Sequence, residues 1–122
     1  MSTILINVGV SILIGAIFIV SGFILLYKPP KDINPIYGYR TKRSMKNITL
    51  WKEGNTYSAK LLIKYGIAYL VIGAIISFII TKDEYALLIN LILMILVTIL
   101  LFVSVEKRLK KLSSESREKF SG

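Results

Sequence analysis

The chain has 122 residues, 54% of them hydrophobic, and its mean hydropathy of +0.65 is too high for a soluble domain of this size. Cysteine and histidine are absent, which excludes disulfides and thiolate chemistry and removes the commonest general base and metal ligand. The net charge of +9 indicates an anionic partner, either nucleic acid or a membrane surface, and the long apolar blocks favour the membrane.

The first apolar block covers residues 4–27 without a charged residue, and a membrane-spanning helix needs roughly 20 such positions. Pro29 and Pro30 come shortly after it and stop the helix. Because residues 1–10 contain no Lys or Arg, we predict a retained span rather than a cleaved signal peptide.

Two further apolar blocks predict a second span over about 62–81 and a third over about 86–105, joined by a short polar turn. With the intervening segment 28–60, the spans make a three-helix membrane module, residues 1–105. The tail, 106–122, carries six basic and three acidic residues, and we expect a short helix over about 104–112 before a disordered end. The predicted fold is an all-α integral membrane protein with three transmembrane helices.

Charge predicts how the three spans are oriented. Segment 28–60 carries eight Lys or Arg residues and the tail six, whereas the residues before 28 carry none and the 81–85 turn has only Lys82. Since basic loops are retained in the cytoplasm, we predict a basic cytoplasmic loop-helix between spans 1 and 2, a cytoplasmic tail, and an N-terminus outside.

Small residues on the first two spans predict a close helix contact, because transmembrane helices associate through near approach of their backbones. They recur at intervals of four and seven: Ser11, Gly15 and Gly22 on the first span, and Gly66, Gly73 and Ser77 on the second. The alternative is that glycine is simply more frequent in membrane helices.

Few polar groups lie within the predicted spans. Asn7 and Asn90, near the outer ends of their spans, can bond either to each other or to interfacial water. No Asp, Glu, Lys or Arg lies in mid-membrane, which argues against an ion-coupled transporter or a proton relay. No two carboxylates have the spacing of a catalytic pair, so we predict no enzyme and assign no catalytic, metal or cofactor site.

The segment between the first two spans divides into a loop and a helix. Three prolines and a glycine predict an extended, turn-rich loop over 28–44. Residues 45–62 are predicted to be helical, with Ser44 or Asn47 as the N-cap and with Trp51 and Asn55 on one stripe. This helix either continues into the second span or lies flat in the membrane interface.

Attraction to anionic lipid headgroups, together with topology, accounts for five basic residues: Lys28, Lys31, Lys42, Arg43 and Lys46. It does not account for the run Gly-Tyr-Arg-Thr at 38–41. Arginine grips a phosphate or carboxylate through two parallel hydrogen bonds, and glycine permits a tight turn that would present it. The segment is therefore either a plain basic connector or an ordered binding loop centred on Arg40.

This segment resembles the signature of the SdpI family, bacterial membrane proteins named for immunity to a secreted killing peptide. The signature is a proline pair after a span, then Gly-Tyr-Arg-Thr, a Ser or Thr, Lys-Asn, Trp and Asn. Its matches here are Pro29, Pro30, Gly38, Tyr39, Arg40, Thr41, Ser44, Lys46, Asn47, Trp51 and Asn55. The framing by three spans also fits, so the resemblance covers about residues 10–105.

The resemblance implies resistance to a membrane-active peptide. It also implies a signalling role, in which the toxin-engaged protein holds a transcriptional repressor at the membrane. The implied partners are the bilayer with its anionic headgroups, the toxin peptide and the repressor, without direct contact to nucleic acid. The residues leave open a different class, a small accessory or scaffold subunit of another membrane protein. They also leave open the oligomeric state, a homo-oligomer included.

Overall fold

The computed structural model describes the backbone of residues 3–80 and 82–121 and the side chains of 5–80, 82 and 84–115. It contains the helices α1 (Thr3–Tyr27), α2 (Ile48–Ile79) and α3 (Asp83–Ser121). All three are long and apolar enough to cross a membrane, and the described residues contain no strand. The predicted fold class is confirmed. Residue 81, the predicted end of the second span, lies outside the described residues.

α2 is one continuous helix of 32 residues that contains both the helix predicted after the loop and the second span. Asn47 begins it, with an extended backbone (φ −155°, ψ 169°) and a side chain that accepts the Leu50 backbone N–H at 2.9 Å. At about 1.5 Å per residue, α2 is roughly 48 Å long and exceeds the bilayer core of about 30 Å. Because α2 is unbroken, its first turns do not form a separate helix lying flat, and the whole helix is longer than a span requires.

α3 also continues past its predicted span and reaches Ser121. The helix is thus longer than the short segment 104–112 that the sequence predicts, and no break separates the span from the tail. Two features explain the continuation. Residues 84–121 contain no Gly or Pro that would end a helix. Val105 and Leu109 are also fully buried against Leu50 of α2, which holds the polar half of α3 in place.

α1 and α2 are in backbone contact along a seam of small residues. A methyl group added at Gly15 would lie 3.1 Å from the carbonyl oxygen of Gly66, and one added at Gly66 would lie 2.9 Å from that of Gly15. A methyl group at Gly73 would meet the Ser11 hydroxyl at 2.5 Å. No larger side chain fits at these positions without a shift of the backbone, so the small residues set the distance between the helices.

The seam extends toward the loop through Gly22, where an added methyl group would lie 2.8 Å from the Ala59 carbonyl oxygen. The Ser77 hydroxyl donates to the Gly73 carbonyl oxygen of its own helix at 2.8 Å.

We use "seam" for Ser11, Gly15, Gly22, Gly66 and Gly73. The end of the molecule that carries the 28–47 loop is the loop end, and the end that carries the α2–α3 connection is the turn end.

A buried polar cluster of Ser11, Tyr69 and Asn90 joins all three helices near the turn end. The hydroxyls of Ser11 and Tyr69 both donate to Asn90 Oδ1, at 3.1 and 3.0 Å. Asn90 therefore bonds to these hydroxyls rather than to Asn7. Asn7 is 1% exposed, and its Nδ2 has no hydrogen-bond partner among the described residues.

Candidate functional site in the loop between the first two helices

The first part of the loop folds back over the end of α1. The Tyr37 hydroxyl donates to the Lys28 carbonyl oxygen at 2.7 Å, where the last carbonyls of a helix lack intrahelical partners. Asn34 Oδ1 accepts the backbone N–H groups of Ile36 and Tyr37, at 3.0 and 2.7 Å, and closes a turn. The loop is thus shaped by its own side chains before it reaches α2.

Trp51 of α2 fixes the proline pair and the glycine of the loop. Its side chain is fully buried, and its indole N–H donates to the Pro30 carbonyl oxygen at 2.9 Å. Gly38 lies in the remaining space with φ +115°, a conformation that residues with a Cβ rarely adopt. A Cβ there would lie 2.5 Å from Asn55 Oδ1 and 2.8 Å from Pro30 Cγ. Both the backbone angle and the space therefore require glycine.

Asn55 and Ser44 fasten the next part of the loop. Asn55 Oδ1 accepts the Tyr39 backbone N–H at 2.7 Å. The Ser44 hydroxyl donates to the Tyr39 carbonyl oxygen at 2.9 Å and accepts the Thr41 backbone N–H at 2.8 Å. In return, Thr41 Oγ1 accepts the Ser44 backbone N–H at 3.1 Å. The backbone is therefore fixed on both sides of Arg40.

α3 closes the outer side of the loop. Tyr39 packs its ring near that of Phe102, with centroids 6.3 Å apart, and Arg43 forms an ion pair with Glu106 at 3.4 Å. Burial raises the pKa of the Tyr39 hydroxyl well above its usual range, and the nearby Glu106 carboxylate raises this pKa further. Tyr39 is accordingly a neutral structural contact at physiological pH.

The eleven residues of the sequence signature fall into two groups. Eight build the loop and the start of α2, by the hydrogen bonds and packing described above: Pro30, Gly38, Tyr39, Thr41, Ser44, Asn47, Trp51 and Asn55. The other three are exposed: Pro29, Arg40 and Lys46. Within the described part of the chain, the side chains of Arg40 and Lys46 have neither an ion-pair partner nor a hydrogen-bond partner.

The residues that the sequence does not reveal come from α3. Glu106 pairs with Arg43, which the sequence assigns only to lipid attraction and topology, and Leu109 packs near Gly54. The available signal is weak: Glu106 is the first charged residue after the apolar run of α3. A charge at such a border is ordinarily solvated, so its sequence position does not predict a partner 63 residues away.

The geometry of this loop suits the binding of an anionic group. It presents an unpaired guanidinium on a fixed backbone, a group suited to two parallel hydrogen bonds with a carboxylate or phosphate. The described residues contain no group of three or more Asp, Glu, His or Cys side chains that could hold a metal ion.

Fold and loop together define a class: a three-helix membrane protein whose first connection is a folded element locked onto the second helix. The model of the SdpI/YfhL protein family matches residues 31–105, more than half of the chain. The chain belongs to this family. YfhL of Bacillus subtilis (strain 168), an uncharacterised protein, is 38% identical over 96 residues, which is 79% of this chain and 82% of YfhL. No solved structure matches.

Proposed function

We propose that this chain is a membrane immunity protein that gives a bacterium resistance to a secreted, membrane-active killing peptide. Its membership of the SdpI/YfhL family supports the proposal. The observation that carries it further is the loop, in which eight signature residues fix the backbone around an exposed Arg40. A fixed backbone at Arg40 would present its guanidinium to a partner from one direction, which suits paired hydrogen bonds to a carboxylate.

In this proposal the helices contact the killing peptide within the bilayer, and the loop contacts an acidic partner outside it. Signalling follows if that partner is a transcriptional repressor held at the membrane. Arg40 is the residue we assign to the partner, because Arg43 is already paired with Glu106. A desolvated arginine–carboxylate pair across an interface is more specific than the attraction of a mobile lysine.

The proposal places the loop end in the cytoplasm and the N-terminus of α1 outside, in agreement with the distribution of Lys and Arg. Because the chain has no cysteine, Lys42→Cys gives a single reactive thiol at an exposed position of the loop. We expect a membrane-impermeant thiol reagent to label it only after the cells are opened. Labelling in intact cells would reverse the orientation and exclude a cytoplasmic partner.

Protection is tested by deleting the gene and challenging the cells with a panel of secreted antimicrobial peptides. For at least one peptide, we expect the deletion strain to stop growing at a lower peptide concentration than the wild-type strain. Returning the wild-type gene should restore the higher concentration. The Arg40→Ala variant, supplied to the deletion strain, should be expressed at the wild-type level but should not protect the cells. Lys31→Ala, which removes another exposed cation of the same loop, is the matched control and should protect fully.

Arg40→Lys separates charge from geometry, since lysine keeps the charge but not the paired donors. If this variant protects partially, Arg40 acts as a general cation. If it does not protect at all, Arg40 acts through its two parallel hydrogen bonds. If Arg40→Ala and Arg40→Lys are both expressed normally and both protect as wild type does, Arg40 does not bind the partner. A strain that shows no phenotype with any peptide, while the protein co-purifies with one membrane protein, would indicate a scaffold subunit.

A further inference from the structure

A cleft opens at the loop end between the loop and the polar half of α3, with a volume of about 450 Å³. Thr41, Lys42, Arg43 and Lys46 line it from the loop, and Phe102, Glu106 and Ser113 line it from α3. Arg40 is not part of this lining, so the cleft is separate from the residue to which we assign the partner.

The cleft carries uncompensated positive charge. Arg43 and Glu106 neutralise each other at 3.4 Å, and the Glu106 side chain is only 17% exposed. Lys42 and Lys46 are exposed, and among the described residues neither side chain has an ion-pair or hydrogen-bond partner. The two lysine ammonium groups of the lining therefore have no counter-ion within the described part of the fold and are free to donate to an anion in the cleft. Phosphate oxygens suit such donors.

The position of the cleft along α3 indicates the source of the phosphate. The apolar run of the helix ends at Val105, and Glu106 is the first charged residue beyond it. The charged wall thus lies at the level where a bilayer has its headgroups, and Phe102, 50% exposed, lies within the apolar run about one turn earlier. We propose that the cleft binds a phosphate group and that this group belongs to the headgroup of an anionic phospholipid rather than to a soluble phosphate.

An anionic lipid satisfies the whole lining, because its phosphate reaches the lysines while the start of an acyl chain lies against Phe102. A soluble phosphate would leave the aromatic wall unused and fill little of the cleft. Bound lipid would also join the loop to α3 at the point where Arg43 and Glu106 already connect them. The lipid would therefore stabilise the loop that presents Arg40.

The test is a titration of the purified, full-length protein in detergent with phosphatidylglycerol, and separately with phosphatidylcholine, read by native mass spectrometry. The double variant K42Q/K46Q should bind phosphatidylglycerol roughly tenfold more weakly than wild type, since each lysine near a phosphate contributes several-fold. The matched double variant K107Q/K110Q removes two exposed lysines of α3 that do not line the cleft. Its affinity should change less than about twofold.

Glu106→Gln is a second variant, and it is expected to strengthen lipid binding. A folding defect would weaken binding and so cannot produce the same result. It removes the one negative charge of the lining and frees Arg43, so phosphatidylglycerol should bind several-fold more tightly. Unchanged or weaker binding would contradict the proposal. Equal losses in the two lysine doubles, or equal binding of the two lipids, would also overturn it in favour of diffuse attraction to the basic surface.

Glycerol 1-phosphate at millimolar concentration distinguishes the two sources. If it fails to displace phosphatidylglycerol from the wild-type protein, the source is the lipid. If it displaces the lipid, the phosphate site stands and the lipid assignment is overturned. The assay contains no killing peptide and no partner protein, so its result is independent of the proposed immunity function.

Discussion

Asn55 of α2 holds the backbone of Tyr39, sixteen positions earlier in the chain, by a hydrogen bond of 2.7 Å from the Tyr39 N–H to the Asn55 Oδ1. The other amide atom, Nδ2, donates to the Trp51 carbonyl oxygen at 2.8 Å and so turns Oδ1 toward the loop. Asn55 is 1% exposed, which means that water cannot take over either bond. The same amide therefore connects the loop to the helix turn that carries Trp51.

Replacing Asn55 with leucine should destabilise the protein by about 1–3 kcal/mol, because it leaves the Tyr39 N–H without a partner at a protected position. The measurement is the free energy of unfolding in mixed micelles. Thr49→Val, an exposed change on the same helix, is the control and should cost less than about 0.5 kcal/mol. Equal losses in the two variants would show that the Asn55 amide does not hold the loop.

Two glycines near this amide should respond to alanine in different ways. Gly38→Ala forces a Cβ into a left-handed backbone position and to within 2.5 Å of Asn55 Oδ1, so we expect a loss of about 1–3 kcal/mol. Gly54→Ala places a Cβ 3.3 Å from side-chain atoms of Leu109 and Tyr39, which need to give way by only a few tenths of an ångström, and it gains up to about 1 kcal/mol of helix propensity.

The midpoint of thermal unfolding in detergent distinguishes these two variants. It should fall for Gly38→Ala and stay level or rise for Gly54→Ala. A Gly38→Ala variant as stable as wild type would show that the loop does not require the positive φ, and a large loss for Gly54→Ala would show that Leu109 and Tyr39 cannot adjust.

The sequence predicts those parts of this site that depend on neighbours along the chain. The proline pair stops α1, and Asn47 begins α2 in the way that an asparagine N-cap does. Trp51 and Asn55 lie on one helical stripe because their spacing places them there. These features follow from local geometry, and a single sequence contains the information.

The contribution of α3 to the site depends on contacts between residues far apart in the chain. Arg43 and Glu106 are 63 residues apart in the chain, and their pairing depends on how far the polar half of α3 continues as a helix. The different roles of Arg40 and Arg43 also depend on the course of α3. Both are basic residues of one loop, and among the described residues only Arg43 has an ion-pair partner. Hydrophobic length identifies the three spans but not the face that each turns to its neighbours.

Alanine at Gly66 should loosen the contact between α1 and α2. An added Cβ there would lie 2.9 Å from the Gly15 carbonyl oxygen and 3.0 Å from the Ile19 nitrogen, both of which are backbone atoms that cannot rotate away. We expect a loss of about 1–3 kcal/mol, the usual cost of overpacking.

Gly9→Ala is the matched control, because an added Cβ at Gly9 has no neighbour within 4 Å. Its free energy of unfolding should be unchanged or slightly higher. Unfolding in mixed micelles measures both variants, and cross-linking between cysteines placed on α1 and α2 reports whether the helices have separated. A Gly66→Ala variant with unchanged stability and cross-linking would mean that the small residues of the seam are not needed for the contact.

The Tyr69 hydroxyl in the polar cluster near the turn end should contribute measurably to the free energy of unfolding. This hydroxyl lies 2.9 Å from the Asn90 carbonyl oxygen and 3.0 Å from Asn90 Oδ1, and it is the only part of the side chain that Tyr69→Phe removes. The ring and its edge contact with Phe18 remain. Hydrogen bonds between helices in a membrane contribute about 0.6–1.7 kcal/mol, so we expect a loss in that range.

Tyr27→Phe removes the same atom from a side chain that is 75% exposed, and its effect should be close to zero. The coupling to α1 is measured by adding Ser11→Ala to each variant. Because the Ser11 and Tyr69 hydroxyls share one acceptor oxygen, loss of the first should change the cost of losing the second. Additive losses in the double variant would show that Ser11 and Tyr69 act independently and that Asn90 does not couple α1 to α2.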